Sequence, residues 1–270
     1  MRRNVQLSYQ IDGEGPTSLL IAGLGCDRNV WRPFQIPALQ KLNTIITFDN
    51  RGIGESDKPE GPYTIAQMAD DVADLMAKLG IERAHILGHS MGGMISLEFA
   101  IRHPTKVTSL IVASGIDRAD EWMKAKQVAN QGLSRLKIDE QKLREAIAWM
   151  NIMWMFAPSY FENSEAVNKV LDIMKSSTQL FEAYRWQSQA LENHDATHGL
   201  GNIKCSTLVI VGKEDILTPL RYSVAIANAI PGAQLQTIDD CGHMLIFEKP
   251  DEFNKRVIDF ISTVEEQLDN

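Results

Sequence analysis

One stretch constrains this chain more than any other. Arg83 to Gly93 reads Arg-Ala-His-Ile-Leu-Gly-His-Ser-Met-Gly-Gly. The apolar run His85-Ile86-Leu87 has the character of a buried strand. It stops at Gly88-His89-Ser90-Met91-Gly92, a G-x-S-x-G pentapeptide, and a helical pattern from Met94 to Ala100 begins at once. A turn that sharp brings the strand and helix backbones close together. The positions two before and two after the serine must then carry no side chain, or a tiny one. Ser90 is expected to stand exposed on a strained turn, at the positive N-terminal end of a helix. The simpler alternative is a glycine-rich strand–helix turn with a solvated serine.

The rest of the chain repeats the strand–helix rhythm. Val5 to Tyr9 alternates in strand fashion. Ser18–Ala22, Thr44–Phe48, Ser109–Ala113, Thr207–Val211 and Gln234–Ile238 read as further strands. Asp27 can cap a helix carrying Val30, Trp31, Phe34 and Leu39. Thr64 and Gln67 form a capping box that opens a helix with Ile65, Met68, Val72, Leu75, Met76 and Leu79 on one face, closed by Gly80. A helix is read from Pro219, and the last helix carries Phe253, Val257, Phe260, Ile261 and Val264. Strands alternating with helices predict an α/β protein with a mostly parallel central sheet wrapped by helices. From about Asp117 to Ile203 the strand pattern disappears and only helical patterns run. The expected organisation is a core of residues 1–116 and 204–270 with a helical cap, 117–203, inserted between two core strands. Functional residues in such sheets gather at the carboxyl ends of strands, the side from which the insertion leaves.

A length of 270 residues suits one large domain with an insertion, or two small domains. The formal charge of −8 argues against nucleic acid or an anionic membrane as a main partner. Three cysteines, Cys26, Cys205 and Cys241, follow no pairing pattern and suggest free thiols in a reducing compartment. No leader-like or membrane-spanning apolar run is read. A cytoplasmic protein is the expectation.

A serine hydroxyl is a poor nucleophile until a base takes its proton, and a third group must orient that base. The candidates lie just beyond strand ends, in the order serine, acid, histidine. Asp215 follows one strand in Gly212-Lys213-Glu214-Asp215, and His243 follows the last strand in Asp240-Cys241-Gly242-His243. Their simpler readings are a helix-capping carboxylate and an ordinary loop histidine. Glu214 and Asp239 are the fallback acids. The developing oxyanion needs two donors: the backbone N–H of Met91 and, from the Gly23-Leu24-Gly25 loop, that of Leu24. His85 is expected in the core, His89 is the variable residue of the elbow, and His103 ends a helix. His194 and His198 have the spacing of a metal pair, but with no third ligand evident no metal is expected. The chemistry requires no organic cofactor either.

Together these residues resemble the α/β-hydrolase family over roughly Leu19 to Ser114 and Ser206 to Ile261. The resemblance rests on the elbow, the loop Asp49-Asn50-Arg51-Gly52-Ile53-Gly54-Glu55-Ser56-Asp57-Lys58-Pro59, the acid segment, and Gly242-His243 followed by Glu248-Lys249-Pro250. It implies an α/β-hydrolase fold and a serine hydrolase of the esterase or lactonase type. The family usually places His-Gly before the oxyanion residue, whereas this chain has Ala22-Gly23. The stretch Gly23 to Trp31 is similar to a branch of bacterial stress-signalling hydrolases and plant butenolide-hormone receptors. The stretch Gln189 to Pro219 is more similar to enol-lactonases and small carboxylesterases.

Four of the five tryptophans, Trp122, Trp149, Trp154 and Trp186, fall in the expected cap. The run Ile147 to Phe156 is apolar nearly all round. One face must bury against protein, and a second needs another surface. Trp149, Met153, Trp154, Trp186 and Met244 are therefore candidates for an apolar substrate pocket. The alternative is that they only glue the cap to the core. The leading expectation is hydrolysis of a small-molecule carboxylic ester or lactone with an apolar acyl part. Two others stand beside it: a hydrolase-fold ligand receptor with slow turnover, and a carbon–carbon bond hydrolase, for which Arg185 is the candidate cap arginine. The sequence leaves the oligomeric state open.

Overall fold

Seven strands form one sheet: β1 (Tyr9–Asp12), β2 (Thr17–Ile21), β3 (Thr44–Phe48), β4 (Ala84–His89), β5 (Val107–Ala113), β6 (Ser206–Gly212) and β7 (Gln234–Ile238). The computed structural model describes residues 5–125, 140–176 and 181–269. The strand order is β1-β3-β2-β4-β5-β6-β7, and only β1 runs antiparallel to its neighbour. The sheet is the mostly parallel one predicted from the rhythm of the sequence.

The central strands read as continuous apolar runs because helices cover both faces. Leu19, Ile21, Ile86 and Val112 pack with residues of α2 (Ile65–Lys78) and α3 (Met91–Arg102). Leu20, Leu87, Ile111 and Ile210 face the other way, onto Trp31, Leu39 of α1 (Gln35–Leu39) and the long C-terminal helix (Pro250–Leu268). Each such side chain contributes roughly 1.5–3 kcal/mol on full burial. The Thr64–Gln67 capping box opens α2 as read: each residue's side chain bonds the other's backbone N–H.

Two elements differ from expectation. Residues 6 to 8 do not join the sheet. Gln6 N–H donates to Asp57 Oδ2 and Ser8 N–H to Ser56 Oγ, so this run pairs with the loop after β3, and the strand starts at Tyr9. The single helix expected after Asp27 is two pieces, a 3₁₀ turn Arg28–Trp31 and α1. Pro33 lies between them and offers no N–H to a continuous helix.

The strand order reverses between β2 and β4. The crevice at their carboxyl ends is the place where open α/β sheets position a site. Between β5 and β6 the described elements are helical: residues 121–125, α4 (Glu140–Met155), a 3₁₀ turn Pro158–Glu162, α5 (Ser164–Ser176) and α6 (Phe181–Glu192). The chain leaves and returns side by side. Arg118 and Asp195 form an isolated bridge, flanked by Ala119 N–H to His194 O and Ala196 N–H to Asp117 O. The helices α7 (Leu220–Ala229), α8 (Leu245–Glu248) and α9 (Pro250–Leu268) complete the chain. Among the described residues no helix is long and apolar enough to cross a membrane.

Candidate active site

Ser90 sits between β4 and α3 with φ 58° and ψ −119°. A non-glycine residue there is strained and persists only when its surroundings dictate it. They do. A Cβ on Gly88 would overlap the Gly92 carbonyl oxygen, and one on Gly92 would overlap the Ile21 carbonyl oxygen. Ser90 N–H donates to Ala113 O at 2.9 Å, and Gly93 N–H donates to Ser90 O at 2.9 Å. Sheet and helix thus grip the turn from both sides and leave the hydroxyl outside.

The structure brings Ser90, His243 and Asp215 into one hydrogen-bonded line. His243 Nε2 lies 2.9 Å from Ser90 Oγ, and His243 Nδ1 lies 2.9 Å from Asp215 Oδ2. A carboxylate only accepts, so Nδ1 carries the proton and Nε2 is left to accept from the serine hydroxyl. Asp215 Oδ1 also accepts from Leu217 N–H at 2.9 Å and Thr218 N–H at 2.7 Å. Burial pushes the Asp215 carboxyl up, but its interaction with the His243 imidazole and the bonds from Thr218 outweigh it and hold the group below its usual range. The fallback acids lie elsewhere: Asp239 pairs with Lys213 at the surface, and Glu214 is exposed.

Side chains that the sequence reading gave no catalytic part hold these loops. Thr218 Oγ1 is 2.7 Å from Asp215 Oδ2 and 3.0 Å from Ser114 O. His89 Nε2 lies 2.9 Å from the His243 carbonyl and must donate to it. Burial and the neighbouring His243 lower the His89 imidazole to about 3, so it is neutral. Glu248 accepts from Gly242 N–H at 3.1 Å and from Ala157 N–H at 2.8 Å, tying the His243 loop to the end of α4. Burial nonetheless pushes its carboxyl up. Glu248 entered the sequence reading only as part of the Glu248-Lys249-Pro250 segment of the family resemblance.

The Gly23–Gly25 loop runs beside Ser90. A Cβ on Gly23 would come 3.1 Å from Ser90 Cβ and 3.6 Å from Ser90 Oγ. Cys26 N–H closes a turn onto Gly23 O at 3.2 Å, with Gly25 at φ 71°. Neither Leu24 N–H nor Met91 N–H has a hydrogen-bond partner among the described residues. Burial pushes the Cys26 thiol up to about 11 and the Cys241 thiol higher still, so neither supplies a competing thiolate.

The candidate pocket residues scatter. Trp154 lines a cleft of about 470 Å³ with Trp122, Ile216, Pro219 and Arg221, reaching Asp215. Met244 is buried in the His243 loop, with its N–H on Met155 O. Trp186 packs against Gly61, and Arg185 lies over its ring at 4.8 Å. Trp149 and Met153 are not brought to this cleft. They are 42% and 57% exposed on the outer face of α4, because Ala148 and Ile152 are the residues that face the protein. His194 is buried and lowered to about 4 by that burial. Among the described residues no cluster of three or more metal-ligating side chains forms.

The alpha/beta hydrolase fold family matches residues 18–138 and 155–250. The chain belongs to that family, and it is a hydrolase. A protein of Azorhizobium caulinodans provisionally named as the carbamate hydrolase RutD is 30% identical to it over 97% of each chain. The enol-lactonase of Burkholderia xenovorans LB400 superposes with a TM-score of 0.84 at 30% identity, covering 96% of this chain and 98% of that one. A thermophilic esterase of Thermogutta terrifontis gives 0.83 at 29% identity, covering 96% and 94%.

Proposed function

We propose that the chain hydrolyses a small carboxylic ester or lactone through an acyl-enzyme on Ser90. The observation that carries this reading is the hydrogen-bonded line Ser90–His243–Asp215 on a strained elbow. His243 Nε2 takes the hydroxyl proton as Ser90 Oγ attacks the carbonyl carbon. Asp215 holds the imidazole tautomer and stabilises its charged form. The N–H groups of Leu24 and Met91 receive the oxyanion. His243 then protonates the leaving alcohol as the acyl-enzyme forms. Water, deprotonated by His243, attacks that acyl group, and Ser90 departs with the proton. A lactone follows the same course, except that its leaving alcohol remains part of the acyl chain and water releases the whole hydroxy acid from Ser90.

The names of the relatives support a carbonyl substrate whose leaving group is a heteroatom, since carbamates, enol lactones and esters share that chemistry. The helices between β5 and β6 serve as the cap. The cleft walled by Trp122, Trp154, Ile216 and Pro219 favours an apolar acyl part. The test is steady-state hydrolysis of p-nitrophenyl esters from acetate to laurate by wild type and Ser90→Ala. Turnover by the variant should fall on the order of 10⁴- to 10⁶-fold. A variant as active as wild type would remove Ser90 from the mechanism. Folded wild type that turns over no ester would refute the ester assignment.

A further inference from the structure

The oxyanion donor at Leu24 is only as good as its loop is fixed, and that loop has glycine on both sides of the donor. Gly23 and Gly25 flank Leu24, and Gly25 has a positive φ of 71°. A glycine pair gives the backbone wide freedom, yet an oxyanion donor misplaced by an ångström loses most of its value. Two side chains from distant parts of the chain hold this turn. Asn50 Nδ2 donates to Ala22 O at 3.1 Å. Gln187, from α6, accepts from Gly25 N–H through Oε1 at 3.1 Å and donates through Nε2 to Arg51 O at 2.9 Å.

Gln187 is fully buried, at 0% exposure. Its amide orientation follows from its partners, because an N–H can only donate and a carbonyl can only accept. The far anchor is firm. The Arg51 guanidinium makes two bonds of 2.6 Å to the buried Asp71 carboxylate. The helix itself is seated on the same loop, with Ala183 against Gly52 and Trp186 against Gly61. A leucine here would fill the space but remove both hydrogen bonds through which Gln187 ties the turn to Arg51.

We propose that Gln187 is a positioning residue: from the inserted helical segment it fixes the Gly23–Gly25 turn and so aims the Leu24 N–H at the oxyanion. This rests on the acyl-transfer reading of Ser90. It gives the insertion a part in the chemistry as well as in covering the site.

The test uses the full-length chain and two readouts. One is the second-order rate of Ser90 labelling by an alkyl fluorophosphonate. Ser90 Oγ forms the bond to phosphorus, fluoride leaves, His243 takes the proton, and the phosphoryl oxygen occupies the oxyanion position. The other is kcat and KM for p-nitrophenyl acetate. Gln187→Leu should lower the labelling rate and kcat together by roughly 10- to 100-fold while KM moves less than about threefold. Gln187→Glu supplies the check that a purely structural role would not pass. Its neutral carboxylic acid can accept from Gly25 N–H and donate to Arg51 O, whereas the carboxylate has no proton for Arg51. The ratio of its labelling rate to that of wild type should therefore rise as the pH falls, even if Gln187→Leu fails to fold. A Gln187→Leu labelling rate within about twofold of wild type, or a flat Gln187→Glu ratio, overturns the role of Gln187 alone. Wild type labelled no faster than Ser90→Ala overturns the acyl-transfer reading, and this inference with it.

Discussion

Ser90 and His243 both stand just beyond a strand, yet they are held by different physics. The Ser90 elbow is fixed by backbone sterics. Its grip comes from glycines at 88 and 92, a carbonyl of the neighbouring strand and the first turn of its own helix. The Asp215 and His243 loops are fixed by side-chain hydrogen bonds, from Thr218 and Glu248 nearby in the chain and from the distant His89, with the end of α4 as a further support. Backbone sterics give a rigid seat that tolerates almost no substitution. Hydrogen-bonded loops tolerate more, and lose accuracy before they lose the fold.

The largest effect should come from attacking the steric grip. Gly92→Ala drives a methyl group into the Ile21 carbonyl and should cost about 4 kcal/mol or prevent folding, measured by urea unfolding. A variant within about 1 kcal/mol of wild type would break the contrast.

On the hydrogen-bonded side, His89 is neutral in the folded chain because its imidazole is lowered to about 3, while the unfolded chain takes up a proton near the ordinary value of 6.5. Its stabilisation is complete above that value and is lost as the pH falls toward 3. The slope is at most about 1.4 kcal/mol per pH unit. His89→Gln should flatten the stability profile over that window. Matching profiles for variant and wild type would remove His89 from the account.

Glu248→Ala removes the acceptor shared by Gly242 and Ala157 N–H. It should cost about 1–3 kcal/mol and lower kcat more than it raises KM, because His243 loses its alignment. A variant with unchanged kcat would show that the loop needs no such tie. The smallest effect is expected for Trp149→Ala on the outer face of α4, within about 0.5 kcal/mol of wild type and with kcat and KM for the p-nitrophenyl esters unchanged. A large rise in KM there would return Trp149 to the substrate pocket.

Much of the fold was legible because it rests on local rules. Six of the seven strands, the Thr64–Gln67 capping box and the glycines around Ser90 each leave a mark within a few residues of sequence. The run from residue 5 to 8 misled because alternation reports a pairing partner without naming it, and here the partner is the loop at Ser56 and Asp57. Trp149 and Met153 misled for a related reason. A helix that is apolar all round does not say which stripe faces protein, and α4 presents Ala148 and Ile152.

The sequence by itself determined the elbow, the parallel sheet and the order serine, aspartate, histidine. Those features depend on which residues lie next to one another along the chain. Tertiary structure alone decided that His89 would hold the His243 carbonyl, that Glu248 would tie Gly242 to Ala157, and that Gln187 would span Gly25 and Arg51. Each of these bonds joins segments 91 or more residues apart, except the short reach between Glu248 and Gly242. A buried amide or carboxylate must be satisfied by something, but only the packing of helices on the sheet chooses the partner.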